Sequence, residues 1–177
     1  MNARLAIAAL LLAVLVLVRP LHSGHPPRGR GVPATVVRTV DGDTLVAAAH
    51  GRRFYVRLLG IDTPETHRPG TPVECGGPQA SASMRALAPP RARVNLEVDP
   101  SQDRIDRYGR LLAYVWLPDG RLLEDEQLRA GWASTYVFRG RPVSLFRRLA
   151  AAERAAQRAD RGVWARCRGD FHTPASP

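Results

Sequence analysis

Asp41-Gly42 stands between two strand-forming runs, TVVRTV ending at Val40 and TLVAA starting at Thr44. An Asp-Gly step between such runs is a strong hairpin signal, because both of its residues accept positive φ. The hairpin commits the chain from Ala34 onward to antiparallel sheet, and RRFYVRLLGI (52–61) follows as a third strand. PQASASMRALA (78–88) then reads as a helix, with proline at its start and Pro89-Pro90 as its stop. ARVNLEV (92–98) and RLLAYVWL (110–117) return to strand. After a Pro-Asp-Gly turn at 118–120, LLEDEQLRAGW reads as a helix ending near Gly131. The last helix is expected from Pro142 to Asp160, with Leu145, Leu149, Ala152, Ala156 and Ala159 as its apolar stripe. Arg147, Arg154, Arg158 and Arg161 fall on its opposite face, either solvated or turned toward phosphate.

Five short strands, interrupted by one helix and followed by two more, predict an α+β, mainly β fold. The count fits a five-stranded OB-fold barrel with about three packed helices. No internal repeat or heptad pattern competes with it, and 177 residues suffice for one domain with a real core. The expected limits are a leader over 1–23, a linker over 24–33, the folded domain over 34–168 and a flexible tail over 169–177.

The leader is set apart by its apolar run from Leu5 to Val18, bounded by Arg4 and by Arg19-Pro20. Such a run is short for a membrane span and suits a signal peptide, cleaved or kept as an N-terminal membrane anchor. The expectation is a secreted protein, or one anchored to the membrane and facing outward. HSGHPPRGRGVP behind it is rich in Gly, Pro and Arg without apolar periodicity, hence the linker.

Charge narrows the partner. The net charge is +10, only two of which come from the leader's arginines, and every basic residue is arginine. Planar guanidinium forks suit phosphate, so a polyanion is implied, nucleic acid first and an anionic membrane surface second.

Two short segments break their own patterns. YVRLLGIDTPET (55–66) puts Arg57 inside an apolar strand and ends on Asp62 and Glu65, and VDGDTLV (40–46) supplies Asp41 and Asp43. Leu45 and Val46 exclude an EF-hand loop, so carboxylates from two segments must meet to make a site. Asp41, in Asp-Gly, reads as a turn residue. Oxygen ligands suit calcium or magnesium, and no His/Cys cluster has zinc spacing. Arg57 and Asp62 would lie on opposite faces of an unbroken strand, so the strand must bend or end near Gly60.

Together, VVRTVDGDTLV, YVRLLGIDTPET, VECGGPQAS, DRYGRLLAYVW, LRAGWASTYVF and RRLAAAERAAQRADRGVW resemble the thermonuclease family of staphylococcal-nuclease-like domains, in its order, over about residues 34 to 165. The resemblance implies a calcium-dependent endonuclease that hydrolyses phosphodiester bonds of DNA and RNA, preferring single strands or easily opened duplex, as a monomer. It implies Asp43, Asp62 and the Thr63 carbonyl as Ca2+ ligands, and Arg57, Glu65 and Arg110 as catalytic residues. Glu65 is the candidate general base, and the two arginines would grip the scissile phosphate. Arg107, Tyr108 and Tyr136 would contact substrate.

The chain departs from the family pattern in places. THRPGTPVECGG lacks the usual lysines, Cys75 and Gly76 replace bulkier residues, and Phe138 stands where a second tyrosine is usual. Cys75 and Cys167, the two cysteines, are expected to be bonded in an exported protein, with two separate buried thiols as the alternative. In the family arrangement that bond would tie the C-terminal tail back near the substrate loop, replacing packing lost at Gly76 and Gly77. Against the nuclease stand two other readings: a non-catalytic nucleic-acid-binding OB-fold module, and a surface binder of acidic polysaccharide.

Overall fold

The structure, a computed structural model, describes residues 31–66, 70, 72–172 and 174. The leader and residues 24–30 of the linker lie outside the described residues.

Strands β1 (Val32–Thr39), β2 (Thr44–Ala49), β3 (Arg52–Leu58), β5 (Arg93–Glu97) and β6 (Leu111–Trp116) close a barrel in the order β1-β2-β3-β6-β5. All pairings are antiparallel except β3 with β6. This is the five-stranded OB topology. Short β4 (Ile61–Asp62) and β7 (Ser134–Thr135) pair beside the barrel. Helices α1 (Gly77–Leu87), α2 (Leu123–Arg129) and α3 (Phe146–Arg158) pack on it, and a single turn, α4 (Val163–Arg166), follows.

Alternation explains the barrel. Val56 and Leu58 are fully buried while Arg53 and Tyr55 are exposed, so β3 turns one row inward and the other to solvent. Leu45, Ala47, Val94, Leu96, Ala113 and Val115 fill the interior from the other strands. Leu128 and Leu149 seal it from α2 and α3.

Several boundaries differ from expectation. β1 starts at Val32, because Val32 and Pro33 pair with Leu96 and Asn95 of β5. Helix α3 starts at Phe146 rather than Pro142, since Asp99 captures the N–H and hydroxyl of Ser144 at 2.6 and 2.7 Å. Ala159, placed in the apolar stripe, is an exposed C-cap. The domain also runs past residue 168: Phe171 is buried and meets Trp164 edge-on with ring centroids 5.3 Å apart.

Cys75 and Cys167 are bonded. The adjacent glycines leave no packing gap, contrary to expectation. A Cβ on Gly76, at φ +88°, would come within 2.9 Å of Val163, and one on Gly77 within 2.8 Å of the Glu65 carbonyl. They permit close approach of the segment at Glu65 and of α4.

Candidate active site

Asp43 stands directly before β2, in the hairpin turn, which Asp41 closes by accepting the Asp43 N–H at 3.0 Å. The turn cannot carry a larger residue at its centre, since a Cβ on Gly42 would sit 2.7 Å from both Ala80 and Thr63. From the buried Asp43 carboxylate, Oδ2 accepts both the N–H and the hydroxyl of Thr63 at 3.0 Å. Two distant segments are thereby joined.

The bend demanded near Gly60 is present. β3 ends at Leu58, Gly60 adopts φ +73°, and the chain resumes as β4. Arg57 wraps around this bend: Nη1 donates to the carbonyls of Leu58 at 3.0 Å and Ile61 at 2.8 Å. Its Nη2 meets Asp62 Oδ1 at 2.7 Å and its Nε meets Asp43 Oδ1 at 3.1 Å. One guanidinium therefore spans both carboxylates expected to hold metal.

Asp41, read from sequence as a turn residue, does that and more. Its carboxyl is pushed up to about 7, first by burial and then by the charge of Asp43. Burial likewise raises Asp62, with Arg57 opposing. Asp43 and Asp62 face one guanidinium, and Asp41 adds to their negative charge only where it is ionised. The donors are all oxygen, so the set fits a hard cation such as Ca2+. Among the described residues no three His, Cys, Asp or Glu side chains converge as a metal cage. An ion here would rest on the two carboxylates Asp43 and Asp62, the Thr63 carbonyl, water and substrate.

Arg57 and Asp62 form one wall of an open cavity of about 750 Å³, whose other walls carry Arg107, Tyr108, Arg110, Tyr136, Phe138 and Arg139. Tyr108, Tyr136 and Phe138 are all exposed there. Arg110 is held by an acid the sequence reading passed over, Asp106, whose Oδ2 accepts from Nε at 2.7 Å. Although burial opposes it, hydrogen bonding from Arg110 keeps Asp106 below its ordinary value. Tyr108 lies under two guanidinia, those of Arg107 at 4.8 Å and Arg110 at 5.2 Å from the ring centroid. Arg139 covers Phe138 at 5.1 Å, so the residue in place of the second tyrosine still offers a ring.

Glu65 follows Asp62 by three residues. Its N–H donates to buried Glu74 at 2.6 Å and its carboxylate accepts the Thr66 N–H at 2.8 Å. Residues 67–69 and 71 of the adjoining expected substrate loop lie outside the described residues. Glu74 also lies 3.4 Å from His172 Nδ1, and His172 Nε2 is 3.8 Å from Asp62 Oδ2. The segment following Cys167 thus reaches the edge of the site. Only the shared disulfide hints at this in the sequence, and neither Glu74 nor His172 carries a motif.

A family model described as "Staphylococcal nuclease homologue" matches residues 55–166. The "Thermonuclease" of Staphylococcus hyicus is 37% identical over 131 residues, 73% of each chain. That of Staphylococcus intermedius is 39% identical over 117 residues, 62% of this chain and 67% of the relative. "Endonuclease YncB" of Bacillus subtilis is 40% identical over 108 residues, 60% of this chain and 50% of the relative.

Proposed function

Because the chain belongs to the staphylococcal nuclease family, we propose that it is an endonuclease hydrolysing phosphodiester bonds of DNA and RNA with the help of Ca2+. The observation that carries this reading is Arg57, which ties Asp43 to Asp62 at the wall of a cavity rimmed by arginines and exposed aromatic rings.

Asp43, Asp62 and the Thr63 carbonyl would hold the ion. When bound, it polarises a phosphoryl oxygen and lowers the pKa of water. The remaining work falls to the chain's own groups. Arg110 offers paired N–H donors to the non-bridging oxygens and Arg57 adds the one Nη2 N–H that its four acceptors leave over, and both meet the charge that grows there in the transition state. Arg57 is preorganised by its four acceptors and Arg110 by Asp106, so neither has to be reoriented as charge develops. Glu65 takes the proton of the attacking water on its carboxylate. Tyr108 and Tyr136 receive bases on their faces, which is easiest for single strands and readily opened duplex. Retention of this acid and arginine set argues against a merely binding module.

The apolar leader supports secretion or an outward-facing anchor, and the Cys75–Cys167 bond suits an oxidising compartment. The working form is a monomer.

Incubating the purified chain with single-stranded DNA, in calcium and then in excess chelator, tests the reading. Cleavage in calcium that stops in chelator is expected. Undiminished cleavage in chelator would refute the metal assignment, and no cleavage in either would refute the enzyme.

A further inference from the structure

The outer row of β3 does not end at Arg57. Because Val56 and Leu58 point into the core, Arg53, Tyr55 and Arg57 share the outer side, one every other residue. That spacing is about 7 Å per step, comparable to one nucleotide of an extended strand. Registers extend the row sideways. Arg38 of β1 and Tyr55 of β3 both pair with Val46 of β2. Arg53 pairs with Ala48, Ala48 with Thr35, and Thr35 with Arg93 of β5. The outer sheet therefore presents Arg38, Arg53, Arg93 and a tyrosine, separated by short side chains.

Tyr55 is 48% exposed, and Arg38 clasps it with the guanidinium 5.6 Å from the ring centroid and Nη2 3.1 Å from the hydroxyl. The clasp covers Val46, which is buried although it points outward. An exposed ring made electron-poor and fixed by a cation is a stacking platform.

The charge on the β1, β2 and β3 part of this face is one-sided. Neither Val32–Val40 nor Thr44–Ile61 nor Gly76–Leu96 contains a single Asp or Glu. Some arginines elsewhere are paired, Arg121 with Asp119 and Glu126, Arg141 with Asp103 and Arg148 with Asp125, whereas others, Arg147 and Arg154 among them, have no carboxylate partner among the described residues. Among the described residues Arg38, Arg53 and Arg93 have no carboxylate partner. A merely solvated face needs no such exclusion of acids, and unrelieved repulsion among these cations is relieved by a polyanion.

We propose that the outer face of β1, β2 and β3, from Arg57 through Tyr55 to Arg53 with Arg38 and Arg93 alongside, is an extended subsite. It binds the single-stranded polynucleotide flanking the scissile phosphate. Arg57 and Arg53 take phosphates two steps apart and Tyr55 takes a base between them. The proposal rests on the nuclease reading for its direction, since the strand must pass Arg57 to be cut.

The test compares wild type with an Arg53→Gln/Arg93→Gln variant and, separately, Tyr55→Ala, none of which touches the metal or phosphate groups assigned above. Substrates are a chromogenic mononucleoside phosphodiester and oligothymidylates of increasing length. Wild-type kcat/KM should keep rising with length past the size that fills the cavity. The variants should match wild type on the chromogenic ester yet fall about tenfold on the longest oligomer, the scale of one lost stacked base. For the double variant, the slope of log binding constant against log salt should become shallower by about 1.4, near 0.7 per phosphate contact removed. Equal losses on ester and oligomer, or none on either, would overturn the subsite. Binding to anionic phospholipid vesicles that depends on these residues, with oligomer cleavage untouched, would overturn it in favour of a membrane surface. Should wild type cut nothing, the nuclease reading fails by itself, while the salt slopes still decide whether this face binds the strand.

Discussion

The Gln127 amide nitrogen donates to the Gly42 carbonyl at 2.7 Å, a bond spanning 85 residues that fixes the turn aiming Asp43. The same nitrogen reaches the Ala80 carbonyl at 3.1 Å, and its oxygen accepts the Ser83 hydroxyl. Helices α1 and α2 are thus bolted to the active-site hairpin by one fully buried side chain. Gln127→Leu keeps the bulk but takes the partner from the Gly42 carbonyl and the Ser83 hydroxyl, each loss costing about 1–3 kcal/mol, while Ala80 keeps its bond within the helix. Urea unfolding should show a loss of about 2–4 kcal/mol. Calcium affinity should fall as well, because Asp43 is no longer held. Wild-type calcium affinity in a measurably destabilised variant would separate the bolt from the site.

Arg57 and Arg110 should not tolerate lysine. A point charge cannot reproduce a planar fork, which at Arg110 is open to grip two oxygens and at Arg57 ties Asp43 to Asp62 while leaving one N–H for the phosphate. Arg57→Lys and Arg110→Lys should therefore each lose roughly two decades or more in kcat. Arg57→Lys should also disturb calcium binding, since its guanidinium bridges Asp43 and Asp62. Asp106→Asn should lower kcat less, by loosening Arg110 alone. Steady-state rates with single-stranded DNA, beside calcium titrations of each variant, check the pattern. Equal effects in all three variants would contradict it.

Calcium should bind weakly and stabilise the fold. With two direct carboxylates the dissociation constant should lie on the order of 10⁻⁴ to 10⁻³ M. Ion that binds only the folded state at about 100 times that constant adds about 2.7 kcal/mol. Melting temperature should therefore climb with calcium in wild type and stay flat in Asp43→Asn. Magnesium, which demands stricter octahedral geometry, should do little. A calcium-dependent rise that survives in Asp43→Asn would place the ion elsewhere.

Much of this was legible in the chain because the features are local. The Asp-Gly hairpin, the β3 alternation and the misplaced Arg57 declared the barrel and the need for a bend at Gly60, and the bend is there. What sequence reading missed depends on partners far along the chain. β7 has only two residues and exists because Tyr136 donates its N–H to the Gly60 carbonyl. Helix α3 starts late because Asp99, 45 residues before Ser144, takes the hydrogen bonds that a first turn would use. Asp106 looks like a loop acid until the turn brings Arg110 back onto it.

Glu124 should make stability fall toward alkaline pH. The carboxylate is wholly buried, accepting the Val115 N–H at 3.2 and 3.3 Å. Burial pushes it up from 4.5 to about 8 despite those bonds. Between those values the folded chain keeps a proton that the unfolded chain has released, so stability drops as pH rises through that window. The limiting slope is about 1.4 kcal/mol per pH unit for one proton. Glu124→Gln should flatten the dependence and be relatively more stable at pH 9. Urea midpoints from pH 5 to 9 measure it, and parallel curves for both proteins would show that Glu124 does not titrate there.

The Cys75–Cys167 bond should matter for stability far more than for chemistry. It closes a stretch of 92 residues, for which the chain-entropy model gives about 4–5 kcal/mol. It also sets the C-terminal segment against the substrate-loop base, where Pro174 bridges Glu74 and His172 lies beside Glu74 and Asp62. Phe171 and Trp164 pack independently of the bond, so the segment should loosen on reduction rather than leave. Reduction, or Cys75→Ser with Cys167→Ser, should lower the melting temperature by roughly 10 °C for a domain of this size. Cleavage at 10 °C should stay within a few-fold, since no thiol takes part and the carboxylate and arginine set is held by β2, β3 and the Asp106 turn. Calorimetry with and without reductant, paired with cold activity, separates the two effects. Cold activity lost in step with the bond would make the C-terminal segment part of the catalytic site. An unchanged melting temperature would mean that the unfolded chain gains little freedom when the loop is opened.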